Sequence, residues 1–110
     1  MKEELIIIRN IRKTINYIEK TVYNFPNNYK VLKEKIILSC YNILENAYRA
    51  NINQDINYKY EILVQLKMLN FYFKQSLDLN LISNKKFLSY GRYLLEIHKM
   101  VLSWCNYEKN

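Results

Sequence analysis

One glycine and one proline in 110 residues leave almost no material for β-turns or a loop-rich fold. The chain has one histidine, His98, whose nearest acid, Glu96, is two residues away and turned to the other side of a helix. That excludes the paired Glu-x-x-His ligands of a di-iron bundle. A zinc site would likewise need more His or Cys than the sequence holds. Gly91 alone cannot build a glycine-rich phosphate loop. No apolar run approaches the roughly 18 residues of a membrane span, and the run from Leu5 to Ile8 is too short for a signal sequence. The expectation is a cytoplasmic protein with no metal or cofactor, no membrane partner and no enzymatic activity.

What is present points to long helices. Half of the residues are hydrophobic and 15% are aromatic, which argues against disorder. Ile62, Leu66, Leu69, Phe73 and Leu77 recur in steps of four and three, and Phe87, Tyr90, Leu94, Ile97, Val101 and Trp104 resume that rhythm. The spacing returns each set to one face of a 3.6-residue helix. Between them lies Asp78-Leu79-Asn80-Leu81-Ile82-Ser83. Asn80 suits the left-handed position just past a helix end, and Ser83 suits a cap on the next helix.

Upstream, Leu5, Ile8, Ile11, Ile15, Ile18 and Val22 form the stripe of a first helix. Phe25-Pro26 ends it, and the proline suits the first turn of the second helix. Tyr29, Leu32, Ile36, Ile43 and Ala47 face inward there. Asp55 or Asn53 is placed to cap the third helix. Helices are expected over about 2–24, 27–50, 55–79 and 84–107, within a single domain spanning 1–110. Short connections make sequence neighbours antiparallel, so the fold class is all-α: an up-down-up-down antiparallel four-helix bundle. Cys40 and Cys105 fall at core-facing positions and are expected to be buried, reduced thiols. His98 is expected to be a hydrogen-bonded interior residue, and Gly91 to permit close helix approach.

The net charge is +7 and the pI about 9.4, which favours anionic partners such as nucleic acid. A basic protein whose charge only keeps it soluble is the plainer reading, and an AT-rich genome would also enrich lysine. The arrangement of charge is more informative. Lys2, Arg9, Lys13 and Lys20 are spaced by seven, four and seven and fall within a narrow arc, expected beside the apolar stripe. On the last helix Lys85, Arg92 and Lys99 lie opposite Leu94 and Val101. First and last helices are neighbours in such a bundle, so these seven residues form a candidate nucleic-acid-binding surface. The middle helices differ. Ile37, Tyr41, Leu44 and Tyr48 on the second helix, and Tyr60, Val64, Met68 and Phe71 on the third, form second apolar seams. Such seams are the candidate interface of a homo-oligomer, although a wide half-buried stripe would look the same.

The order of signals resembles a known family. Phe25-Pro26 opens a helix with Lys35-Ile36 that ends near Ala47-Tyr48-Arg49-Ala50. Leu66, Leu69 and Phe73 follow, then the turn from Asp78 to Ser83, and a last helix reading Leu95-Glu96-Ile97-His98-Lys99-Met100-Val101-Leu102-Ser103-Trp104. From about Phe25 onward this is similar to the accessory variability determinants of diversity-generating retroelements, within the broader family of bundle proteins encoded in 23S rRNA intervening sequences. Asn80 stands where that pattern would carry a turn glycine, and the third helix offers Lys59, Lys67 and Lys74 where relatives are richer in arginine. The resemblance implies a non-enzymatic, basic homopentamer. Its implied partners are a reverse transcriptase and RNA, with DNA as a further nucleic-acid ligand, in support of mutagenic cDNA synthesis. A stand-alone bundle with a structural or ribosome-related role is the alternative.

Overall fold

The computed structural model describes the backbone of residues 2–109 and the side chains of residues 6–106. Four helices fill it: α1 (Lys2–Val22), α2 (Lys30–Ile52), α3 (Asn57–Asp78) and α4 (Asn84–Lys109). Each helix packs on its neighbours in sequence and α4 closes back on α1, so the four surround one core in a rod of 45 × 22 × 19 Å. This is the expected four-helix bundle.

The core follows the stripes read from the sequence, except that Leu32, Leu77 and Phe87 are only partly buried against it and Tyr29, expected to face inward, is half-buried in the 3-10 turn before α2. Ile8, Ile11, Ile15, Ile18 and Val22 of α1 meet Ile36, Cys40, Ile43 and Ala47 of α2. Ile62, Leu66, Leu69 and Phe73 of α3 meet Tyr90, Leu94, Ile97, Val101 and Trp104 of α4. Each large apolar side chain buried this way contributes about 1.5–3 kcal/mol. Leu5 lies outside the residues whose side chains are described.

Local chemistry sets the connections. Leu79 N–H donates to the Gln75 carbonyl and Leu81 N–H to that of Ser76, and between them Asn80 adopts φ of 60°. Asparagine tolerates that left-handed conformation better than other side-chain-bearing residues. Ser83 Oγ accepts from Lys86 N–H at 3.1 Å, the expected cap on α4. Before α3, Asp55 Oδ1 accepts from Asn57 N–H at 2.9 Å, while Asn53 Oδ1 serves Asp55 N–H. Pro26 precedes a single 3-10 turn, Asn27–Tyr29, and α2 starts only at Lys30 because Tyr29 leaves helical angles (φ −112°, ψ 23°).

Three placements differ from expectation. A Cβ on Gly91 would meet nothing within 4 Å, so the glycine opens space where a close helix approach was expected. Gly91 and His98 line a groove of about 380 Å³ between α3 and α4, with Leu66, Lys67, Asn70, Leu94 and Leu95. His98 is therefore half-buried on a groove wall and not an interior residue. Lys59, whose charge would ordinarily place it in solvent, is fully buried at 0% exposure. Its Nζ lies 3.5 Å from the Trp104 carbonyl oxygen and 4.3 Å from the centre of the indole ring. An ammonium over an indole is stabilised by the ring quadrupole, and the Trp104 carbonyl accepts from it.

Candidate nucleic-acid interface

The α1–α4 contact fixes how the two basic rows stand to each other. Tyr17 of α1 shares a 3.1 Å hydrogen bond with Ser89 of α4 and packs on Tyr93, and Asn10 Nδ2 donates to Met100 Sδ at 3.2 Å. Numbering thus falls along α4 as it rises along α1. That offset puts Arg9 at the height of Lys99, Lys13 near Arg92 and Lys20 near Lys85. Along α4 the rungs are about 10 Å apart, seven residues at 1.5 Å each.

Arg9, Lys13, Lys20, Lys85, Arg92 and Lys99 are all exposed. Lys2 lies outside the described side chains. The α1 row does not flank the apolar stripe as expected but points directly away from it. Each of its residues stands two positions from Ile11 or Ile18, about 200° round the helix. The rows therefore project from two adjacent corners of the bundle and border the α1–α4 face between them. Glu96 is exposed on the same side of α4 and lowers the positive field at the middle rung.

Sequence reasoning missed what fills that face. Lys86 sits in the first turn of α4 with its Nζ 4.7 Å from the centre of the Tyr17 ring. Four rings run from core to surface: Phe73 to Tyr90 at 4.8 Å between centroids, Tyr90 to Tyr17 at 5.2 Å, and Tyr17 to Tyr93 at 5.0 Å. Tyr93 ends the series with 43% of its surface exposed. The Ser89 hydrogen bond, reinforced by the charges of Lys86 and Lys85, holds the Tyr17 phenol below its ordinary pKa despite partial burial. Tyr90 is pushed the other way by burial, its hydroxyl turned toward Thr21 without a hydrogen bond of good geometry. Only the spacing of Tyr17 from Lys13 and Lys20 on one helix face hinted at this cluster.

The apolar seams lie elsewhere. Tyr60, Val64, Met68 and Phe71 are exposed along the side of α3 that faces away from the core. On α2, Tyr41 and Tyr48 are exposed, whereas Ile37 and Leu44 are half-buried against the core cluster. The α2 seam leans toward α1, where Tyr41 donates a hydrogen bond to Glu19 that raises the phenol's pKa. Tyr41, Leu44, Tyr48 and Ile52 line an open depression of about 470 Å³, bordered by the Arg49–Glu45 ion pair. Exposed Val31 and Leu38 extend the α2 surface, and a leucine row at Leu88, Leu95 and Leu102 runs along α4 beside the Gly91 groove. That row went unread although its seven-residue spacing is visible in the sequence.

Among the described residues no cluster of His, Cys, Asp and Glu is arranged to hold a metal ion, and no helix is long and apolar enough to cross a membrane.

Comparison with known proteins gives the lineage. The fold is similar to the crystal structure of a protein of unknown function from the S23 ribosomal protein family of Bacteroides thetaiotaomicron. The TM-score is 0.85 at 17% identity over 94% of this chain and 98% of that one. No curated protein matches the sequence. The family model described as bAvd-like matches residues 5–108, the length of all four helices, and the chain therefore belongs to the bAvd-like family.

Proposed function

We propose that this chain is a non-enzymatic, oligomeric accessory protein of a diversity-generating retroelement, binding template RNA or cDNA together with the reverse transcriptase. The observation that carries the reading is that exposed Arg9, Lys13 and Lys20 of α1 run alongside exposed Lys85, Arg92 and Lys99 of α4, with Arg9 at the height of Lys99 and the other two within a turn or so of Arg92 and Lys85. Two rows of exposed cations along a rod suit the phosphates of a polyanion, which they would hold without reading sequence. Membership of the bAvd-like family supports the retroelement context.

The apolar seams support self-association. Because the α2 seam leans toward α1 while the α3 seam points straight out, they are different patches facing different directions. A contact between unlike patches is heterologous and builds a ring when the rotation between copies closes, or a filament when it does not, whereas a two-fold dimer buries one patch against itself. A ring joined through Tyr41 and Tyr48 of one copy and Val64, Met68 and Phe71 of the next leaves the basic corners in solvent. The homopentamer implied by the family resemblance is one such ring.

Co-purification with the reverse transcriptase encoded beside the gene, with light scattering on the complex, tests the reading. A multimer that carries the polymerase and RNA is expected. A monomer that co-purifies with neither contradicts it. The likeness to the S23 ribosomal protein family structure favours the second reading, a stand-alone bundle with a ribosome-related role. A gene neighbourhood without a reverse transcriptase or template repeat would select that reading.

A further inference from the structure

The α1–α4 face holds more than charge. Tyr93 stands on the α1-facing side of α4, next to Arg92 in the chain and near the height of Lys13. Behind it the Tyr17 ring is fixed on three sides. Its hydroxyl is bonded to Ser89, its edge meets the buried Tyr90 at 74° between planes, and Lys86 covers it at 4.7 Å. Tyr90 in turn rests on Phe73 in the core. Tyr93 is thus an exposed ring with a rigid backing, with cations above and below it along the rod and the Glu96 carboxylate one turn on along α4.

A duplex offers such a surface only its phosphates, because its bases are already stacked on one another. An unpaired strand offers phosphates and open base faces together. Basic grooves with an aromatic ring set among the cations are how proteins hold single strands without sequence preference. We infer that the α1–α4 face prefers single-stranded nucleic acid, with one unpaired base stacked on Tyr93 while the cations of α1 and α4 hold the flanking phosphates. The inference rests on the nucleic-acid reading above and adds to it the strandedness of the ligand and the residue that senses it. RNA and cDNA share the chemistry, since the ring reads a base face and not the 2′-hydroxyl.

The test is fluorescence anisotropy at one fixed salt concentration with three probes of equal phosphate number: an oligo-uridine, an oligo-thymidine and a fully paired duplex. The full chain should bind both single strands more tightly than the duplex. Tyr93→Ala should weaken single-strand binding by roughly tenfold to a hundredfold, the usual cost of a lost stacking platform, and leave duplex binding unchanged. Tyr93→Phe, which keeps the ring, should behave as the parent, and the melting temperatures of both variants should stay near that of the parent. Equal losses on strand and duplex, or no loss on either, would overturn the inference while the nucleic-acid reading stands. A preference confined to oligo-uridine would overturn the base-face argument. Failure of the parent chain to bind any probe would overturn both.

Discussion

The α1–α4 face and the outer surfaces of α2 and α3 are made of equally regular helices, yet they put different residues into solvent. On α1 and α4 the positions farthest from the core are Arg9, Lys13, Lys20, Lys85, Arg92 and Lys99. On α3 the equivalent positions are Tyr60, Val64 and Phe71. Nor are α2 and α3 short of charge: Arg49 pairs with Glu45 at 2.6 Å, and Lys74 with Asp78 at 3.0 Å. Such exposed i,i+4 pairs add only about 0.3–0.5 kcal/mol each, but they neutralise their cations locally. Total charge therefore says less about function than which charges are left facing outward.

The largest expected effect breaks the basic side alone. Reversing Lys85, Arg92 and Lys99 to Glu should weaken RNA binding on the order of a thousandfold, because each lost phosphate contact also forfeits counterion release. The helical circular-dichroism signal should be unchanged. Loss of folding instead would mean these side chains do structural work. Next, Tyr41→Lys with Met68→Lys should reduce the particle to a monomer in light scattering while RNA binding persists, only weakened through lost multivalency. An unchanged hydrodynamic size would remove the distinction between the two sides.

The core between them titrates in a defined direction. Burial, with a smaller contribution from Glu19, pushes the Cys40 thiol from 9.0 up to about 12. In the unfolded chain the thiol ionises near 9 while the native one keeps its proton. Above pH 9 the native state thus binds more protons and stability falls as pH rises toward 12. Alkaline melting curves of Cys40→Ala against the parent chain would show it as a shallower pH dependence in the variant. The smallest effect sharpens the groove of α3 and α4. Gly91→Ala should stabilise the bundle by about 0.5–1 kcal/mol in chemical denaturation, since a helical glycine is replaced and its Cβ meets nothing. A destabilised variant would show that the groove closes in solution.

Features set within one helix were legible in the sequence. The core stripes needed only the spacing of Ile11, Ile18, Leu66 and Trp104, and the α3–α4 turn needed only Asn80 and Ser83. Lys59 was legible in principle, lying three residues before Ile62 and seven before Leu66, in phase with the core, but its charge argued for solvent. The two sides were harder because they depend on the offset between helices. Nothing within α1 or α4 says that Tyr17 will stand against Ser89 and Tyr93, and that offset sets both the rungs and the ring series. The lean of the α2 seam toward α1 has the same origin.

The measurement that bears most directly on the account is the affinity of the full chain for RNA across a range of salt concentrations. The logarithm of affinity should fall linearly and steeply with the logarithm of salt, as expected when several cations displace counterions from phosphate. An affinity that stays flat from low to high salt, or no binding at any salt, would contradict it.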